Sequence, residues 1–121
     1  MNECKIKIKS NQIFEEHVDS IEEEYKCVIE KFENGMKIVY DNNEITVKNG
    51  KVIIERENTQ LTIEKNVRNV MKYQTPYGTI DIEVEGKEIE IYEKPLVVKL
   101  SYFIKVGNAK EYKNELQIVV E

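Results

Sequence analysis

The fold is decided by one uninterrupted stretch of alternating side chains, Leu96-Val97-Val98-Lys99-Leu100-Ser101-Tyr102-Phe103-Ile104-Lys105-Val106. Every second residue from Leu96 to Val106 is apolar. A period of two is typical of a β-strand, because successive side chains of a strand point to opposite faces of the sheet. The same alternation recurs along most of the chain, and it predicts strands near residues 4–10, 21–32, 36–40, 44–48, 51–57, 60–64, 69–75, 79–85, 87–93, 96–106 and 112–120.

Turn residues separate these predicted strands. Asn34-Gly35 and Asn49-Gly50 tolerate the positive φ that tight hairpin turns require, and Glu85-Gly86-Lys87 is predicted to be another hairpin turn. Consecutive hairpins make consecutive strands antiparallel neighbours, and a meander with one apolar face must pair or cover its two edges. The sequence therefore predicts an all-β fold, an antiparallel meander closed into a barrel, with a two-sheet sandwich as the alternative.

One segment departs from the period of two. Phe14, His17, Val18 and Ile21 are spaced i, i+3, i+4 and i+7 within an acidic stretch. This spacing fits one face of a short helix at one end of the barrel, and the same residues also fit a long loop. Residues 13–21 are therefore predicted to be either helix or loop.

Length and composition favour one globular domain over residues 1–121. Hydrophobic residues make up 40% of the 121 residues and charged residues 34%, which is too apolar for a disordered chain. The net charge is −5, and lysines and glutamates are interspersed, which argues against a nucleic-acid partner. No apolar run reaches the roughly 18–20 residues that span a bilayer, and the first residues do not read as a secretory signal. The sequence predicts a cytoplasmic protein without a membrane partner.

The candidate metal and catalytic residues are few. Cys4 and Cys27 are predicted to be reduced and buried, and with a single histidine, His17, they cannot complete a familiar zinc site. No nucleophile and base stand in a recognisable spacing. We therefore expect no metal, no cofactor and no enzymatic activity.

Two arginines stand out among the eighteen basic residues. Arg56 shares parity with Val52 and Ile54, so in a regular strand it points into the barrel, where its charge needs a carboxylate or an anionic ligand. A guanidinium binds a carboxylate through two parallel hydrogen bonds. The alternative is an arginine that reaches water at the barrel rim or pairs with a glutamate. Arg68 is the second candidate.

The most distinctive segment is Tyr73-Gln74-Thr75-Pro76-Tyr77-Gly78-Thr79-Ile80. Pro76 fixes its own φ and Gly78 permits a left-handed conformation, so the segment predicts a tight hairpin turn with Tyr77 packed over it. A binding loop is the alternative.

This segment resembles the Tyr-x-Thr-Pro-Tyr-Gly signature of the YwiB-like family of uncharacterised bacterial proteins. The opening Lys-Ile-Lys-Ile-Lys strand, the Asn49-Gly50-Lys51-Val52 hairpin and the closing Asn114-Glu115-Leu116-Gln117-Ile118 strand resemble the family in the same order. Asn66 departs from it, since the family has a glycine-containing turn there. The resemblance implies a calycin-like barrel, similar in shape to lipocalins and fatty-acid-binding proteins, and it supplies no catalytic residues.

Two functions follow as hypotheses. The first is a barrel that binds a small anionic or apolar molecule inside, with Arg56, Arg68, Tyr73 and Tyr77 as the candidate ligand-binding residues. The alternative is a protein-interaction module that acts as a homodimer without ligand or catalysis.

Overall fold

A computed structural model describes residues 2–57 and 59–121 of the chain. Within these residues the chain forms ten β-strands and no helix, and hence no helix that could cross a membrane. The strands are β1 (Asn2–Phe14), β2 (His17–Phe32), β3 (Gly35–Tyr40), β4 (Asn43–Lys48), β5 (Lys51–Arg56), β6 (Thr59–Glu64), β7 (Arg68–Thr75), β8 (Gly78–Tyr92), β9 (Leu96–Val106) and β10 (Tyr112–Val120).

All ten strands belong to one sheet, in the order β6-β5-β4-β3-β2-β1-β10-β9-β8-β7. Every neighbouring pair is antiparallel, and β1 joins the two halves of the meander by pairing with both β2 and β10. The sheet curls until β6 and β7 approach each other. The prediction of an all-β antiparallel barrel is confirmed, and the barrel is nearly closed.

The barrel closes through a short stretch of backbone beside Gly86. The Asn66 N–H donates to the Gly86 carbonyl at 2.9 Å, and the Gly86 N–H donates to the Val67 carbonyl at 3.4 Å. Farther along, Asn69 Nδ2 donates to the Thr62 carbonyl at 3.1 Å. Beyond Asn69 no ladder joins β6 to β7 among the described residues. We call this gap between β6 and β7 the seam.

The core lies inside the barrel and consists of the inward side chains that the alternation predicts. Ile6, Ile38, Val52, Val84 and Ile118 are each at most 1% exposed. Burying one such aliphatic side chain stabilises the fold by about 1.5–3 kcal/mol. The strand β7 contributes partly buried side chains that pack against this core.

The predicted hairpin at Glu85-Gly86-Lys87 is wrong, because β8 runs through it as one strand. The pairing register of β8 with β9 shifts between Gly86 and Glu88, which is a β-bulge. Gly86 is buried, and a Cβ atom there would overlap the backbone of Glu64. The glycine therefore permits close approach of the β6 end, where the sequence suggested a turn.

Residues 13–21 form neither the helix nor the loop that their spacing suggested. β1 and β2 pair without interruption as far as Phe14 and His17, and Glu15 turns the chain with a φ of 56°. The apolar side chains at this hairpin tip stay accessible, since Phe14 is 39% and Val18 53% exposed. Their helical spacing does not reflect burial against the barrel.

The two cysteines are oxidised in this structure, which corrects the prediction that both are reduced thiols. Cys4 on β1 and Cys27 on β2 are directly opposite in the register, and they form a disulfide. They are 23 residues apart in sequence, and the long β1–β2 hairpin brings them together.

The Thr75 to Gly78 segment forms the predicted tight hairpin. Thr75 Oγ1 donates to the Gly78 carbonyl at 2.8 Å and accepts from the Tyr77 N–H at 3.1 Å. Tyr77 is fully exposed, so the expectation that its ring packs over the turn is wrong. Asn66 has a φ of 61°, so it adopts the left-handed conformation that a glycine would supply.

Candidate ligand-binding site at one end of the barrel

One end of the barrel interior holds a cavity of about 230 Å³, which we call the end cavity. Residues of seven strands, or of their ends, line it. They lie on the inward face that the period of two assigns to each strand. The lining combines apolar side chains with polar ones: Ser10, Gln12, Ile21, Glu23, Ile54, Arg56, Thr59, Leu61, Ile82, Tyr102, Ile104, Asn114 and Leu116.

Arg56 ends β5 and lines the end cavity, as its parity with Val52 and Ile54 predicts. The residue is exposed, so the guanidinium lies at the mouth and is not buried as that parity suggested. Among the described residues it forms no ion pair with a carboxylate. It is therefore a cation at the rim of a cavity that contacts the Tyr40 hydroxyl and has no carboxylate partner among the described residues.

The charge of Arg56 affects the pKa of two nearby tyrosines, Tyr40 and Tyr102. Burial raises the pKa of Tyr40, and the nearby Arg56 charge partly offsets this rise. Burial likewise raises the pKa of Tyr102, with a smaller opposing effect from Arg56. Both phenols are therefore neutral at physiological pH and can donate hydrogen bonds.

Tyr102 and Asn114 form a polar pair inside the end cavity. They are directly opposite each other on β9 and β10, and Asn114 Nδ2 donates to the Tyr102 hydroxyl at 3.1 Å. Tyr102 is only 3% exposed. Asn114 Oδ1 is buried and has no hydrogen-bond partner among the residues that the structure describes, which is uncommon for a buried polar atom.

Glu23 brings a negative charge to the same lining. Its carboxylate accepts a hydrogen bond from the Tyr25 hydroxyl at 3.0 Å, and this bond is the main reason that the pKa of Tyr25 is raised. The Tyr25 ring contacts the Tyr40 ring with centroids 5.3 Å apart. Arg56 and Glu23 are thus the two charged residues of the end cavity.

A second cavity, of about 590 Å³, occupies the seam. Tyr73 and Met71 line it from β7, and Thr59 and Gln60 line it from β6. Arg56, Thr59 and Ile82 border both cavities. The seam therefore reaches the barrel interior at Arg56.

Comparison with known proteins identifies the family. A family model described as a domain of unknown function, DUF1934, matches residues 6–118. The chain belongs to the DUF1934 family. Its fold is similar to the crystal structure of the YwiB protein from Bacillus subtilis, with a TM-score of 0.82 and 17% identity, covering 98% of this chain and 90% of that one. The YwiB-like resemblance is confirmed, and at this identity the structural likeness shows the fold. No curated protein matches the chain.

This DUF1934 domain does not bring the four predicted site residues together. Arg56 lines both cavities and Tyr73 lines the seam. Arg68 points to the outer surface, where its guanidinium lies 3.5 Å from Glu85 and 3.9 Å from both Glu83 and Glu111. Tyr77 is exposed at the hairpin turn. Neither Arg68 nor Tyr77 lines the end cavity that Arg56 borders.

The sequence analysis missed Asn114, Tyr102 and Glu23 as site residues of the DUF1934 domain. The signal for Asn114 was its parity with Leu116 and Ile118, which places a polar amide on an inward face. The alternation had placed Tyr102 inward, but as a packing residue. The described residues contain no group of three or more His, Cys, Asp or Glu side chains that could hold a metal ion.

Proposed function

We propose that this DUF1934 protein binds a small organic anion in the end cavity, with the carboxylate of the ligand on Arg56. The observation that supports the proposal is the contrast between the two arginines. Arg68 is surrounded by three carboxylates, whereas Arg56 faces a cavity and has no ion-pair partner in the part of the chain that the structure describes. A charge-assisted, bidentate hydrogen bond to a carboxylate is the interaction that a free guanidinium makes best.

The volume of the end cavity and the charge of Glu23 limit the size and the charge of the proposed ligand. A cavity of about 230 Å³ lies below the roughly 300–1,000 Å³ of sites for drug-sized molecules, which favours a compact ligand over a long acyl chain. Glu23 repels a second negative charge on the ligand. The proposed ligand therefore carries one carboxylate on a short, mainly apolar body.

Hexanoate is a suitable probe because it is a short monoanion with an apolar chain. Its dissociation constant is measured by titration into isotope-labelled protein, followed through the amide resonances of the strand ends around Arg56. We expect Arg56→Met to weaken binding by roughly tenfold. We expect Glu23→Gln to strengthen it severalfold, because a like charge is removed.

Lys26→Met is the matched control, since Lys26 is an exposed cation of β2. It should leave the dissociation constant unchanged. A purely structural role of Arg56 and Glu23 would not move affinity in opposite directions. If hexanoate causes no saturable shifts around Arg56, or if Arg56→Met and Lys26→Met behave alike, the proposed function is wrong.

A second candidate function rests on the free edges of the seam, and here we propose a homodimer that forms by strand pairing. The Thr62 carbonyl points into the seam, and alternate residues of a strand edge point the same way, so the Gln60 backbone faces the seam without a partner in the described part of the chain. Such an edge can pair with an edge of a second copy. Sedimentation should then show a dimer that Gln60→Pro abolishes and Gln60→Ala retains. A wild-type monomer at high concentration contradicts this candidate.

A cytoplasmic location for either function remains a prediction. A cytoplasmic protein is expected to hold Cys4 and Cys27 reduced, with the disulfide forming on oxidation. Trapping thiols with a maleimide in intact cells tests this. Full alkylation of both cysteines supports the location, and recovery of the disulfide contradicts it.

A further inference from the structure

We infer that the ligand of the end cavity carries a hydroxyl group, held by Asn114 and Tyr102, in addition to the carboxylate held by Arg56. This inference rests on the proposed function, which it deepens by naming the class of molecule: a short hydroxycarboxylic acid. Its basis is the polar pair that β9 and β10 place within the end cavity.

The first observation is the unsatisfied acceptor. Asn114 Oδ1 is buried and unpartnered within residues 2–57 and 59–121, although Asn114 Nδ2 donates to the Tyr102 hydroxyl at 3.1 Å. A buried polar atom without a partner destabilises the fold, since it has lost water and gained nothing in return. Asn114 belongs to the lining of the end cavity, so we assign the missing donor to a molecule bound there.

The second observation is the unused proton of Tyr102. Its oxygen accepts from Asn114 Nδ2, so the hydroxyl hydrogen is left to donate. Burial raises the pKa of Tyr102, so the phenol keeps that proton at neutral pH. The pair therefore presents one acceptor, Asn114 Oδ1, and one donor, the Tyr102 O–H.

A hydroxyl group matches this pair because it donates one hydrogen bond and accepts another. It would donate to Asn114 Oδ1 and accept from the Tyr102 O–H. The match also holds with the oxygen and nitrogen of the Asn114 amide exchanged, since a hydroxyl serves either arrangement. An ammonium only donates, and it would place a charge beside a side chain that is 3% exposed, with no carboxylate in the pair to offset desolvation.

Arg56, Tyr102 and Asn114 line the same cavity. A single ligand can therefore place its carboxylate on Arg56 and its hydroxyl on the polar pair. The Arg56 charge acts on the pKa of Tyr102, so the guanidinium lies within electrostatic range of the pair. Ile54, Leu61 and Leu116 lie in the same lining and suit a short hydrocarbon body between the two polar ends.

The experiment compares hexanoate with the isomeric hydroxyhexanoates that carry the hydroxyl on each carbon except the carboxylate carbon. Dissociation constants are measured by the titration used for hexanoate. We expect at least one isomer to bind roughly tenfold more tightly than hexanoate, and the position of its hydroxyl reports the spacing of the pair from Arg56. The aminohexanoate with nitrogen at that carbon should lose this gain.

Two variants assign the gain to the pair. In Asn114→Leu, which keeps the side-chain volume, the ratio of hexanoate to hydroxyhexanoate dissociation constants should fall to about one, while hexanoate still binds. Tyr102→Phe keeps the ring in the core and should reduce the same ratio. Tyr102→Phe decides the matter if Asn114→Leu does not fold.

The failures of the two proposals are distinguishable. If hexanoate binds through Arg56 but no hydroxyl isomer binds more tightly, the hydroxyl inference is overturned and the proposed function stands. A gain that persists in both variants, or a preference for the ammonium analogue, also overturns it. If no member of the series binds, the proposed function itself is wrong.

Discussion

Cys4 and Cys27 face each other across the first hairpin and are joined by a disulfide, with their Cα atoms 5.1 Å apart. Both strands that carry them belong to the middle of the sheet order, since β1 pairs with β10 on its other side. The bond therefore fixes the register at the point where the two halves of the barrel wall are joined.

Reduction of this bond should destabilise the protein. The bond spans 23 residues, and cross-linking a loop of this size lowers the entropy of the unfolded chain enough to stabilise the fold by about 3 kcal/mol. Urea denaturation of the oxidised protein, with and without reductant, measures the difference. A variant with Cys4→Ser and Cys27→Ser is the control and should be insensitive to reductant. An unchanged wild-type midpoint would contradict the prediction.

Gly86→Ala should weaken the closure of the barrel. The added Cβ would overlap the Glu64 backbone, so the end of β6 must shift outward. We expect a loss of about 1–3 kcal/mol in the free energy of unfolding, as for overpacked core sites. Hydrogen exchange of the Asn66 amide, which donates to the Gly86 carbonyl, should accelerate. Thr79→Ala, exposed on the same strand, should change neither quantity; equal effects of the two substitutions would refute this account.

Alkaline pH should destabilise the protein through Tyr102. Burial raises its folded-state pKa above the ordinary value of 10.0, so above that pH the unfolded chain releases a proton that the folded chain retains. The contribution of Tyr102 to stability is therefore constant below pH 10 and falls as pH rises beyond it. Tyr102→Phe should flatten this alkaline fall in the urea midpoint. Tyr92→Phe, at a half-exposed ring, is the control and should flatten it less.

Substitution of Arg68 should have small effects. The side chain is 42% exposed and its carboxylate contacts lie at 3.5 to 3.9 Å, so Arg68→Gln should cost less than about 1 kcal/mol, and less still at high salt. Hexanoate affinity should be unaffected. A tenfold loss of hexanoate affinity would instead restore Arg68 as a binding residue.

The fold could be predicted because alternation reports which face each residue occupies. This parity correctly placed the core residues, and it gave the side of the sheet on which Arg56 lies but not its exposure at the mouth. It does not report which strand lies across a hairpin tens of residues away, and so it could not pair Cys4 with Cys27. It also could not distinguish a turn glycine from Gly86, which lies within a strand. Gly86 leaves room for the end of β6, which approaches from the far edge of the sheet.

The site was less accessible to prediction than the fold. Arg68 drew attention as a rare residue type, yet its parity with Val70 and Lys72 gives an outward direction. Asn114 carried the opposite signal, a polar side chain at an inward position, but its unsatisfied oxygen depends on the hydrogen bond to Tyr102. Such a bond depends on the register between strands, which parity alone does not give.

The seam has a kinetic consequence for any molecule inside the barrel. Among the described residues, β6 and β7 are held by a few backbone hydrogen bonds near Gly86 and by the bond from Asn69 to Thr62, whereas all other neighbouring strands share ladders. Local separation of β6 from β7 needs far less free energy than global unfolding. Because the seam meets the interior at Arg56, this separation would widen the path beside the mouth, so stiffening the 64–67 turn would slow the share of uptake and release that passes through the seam.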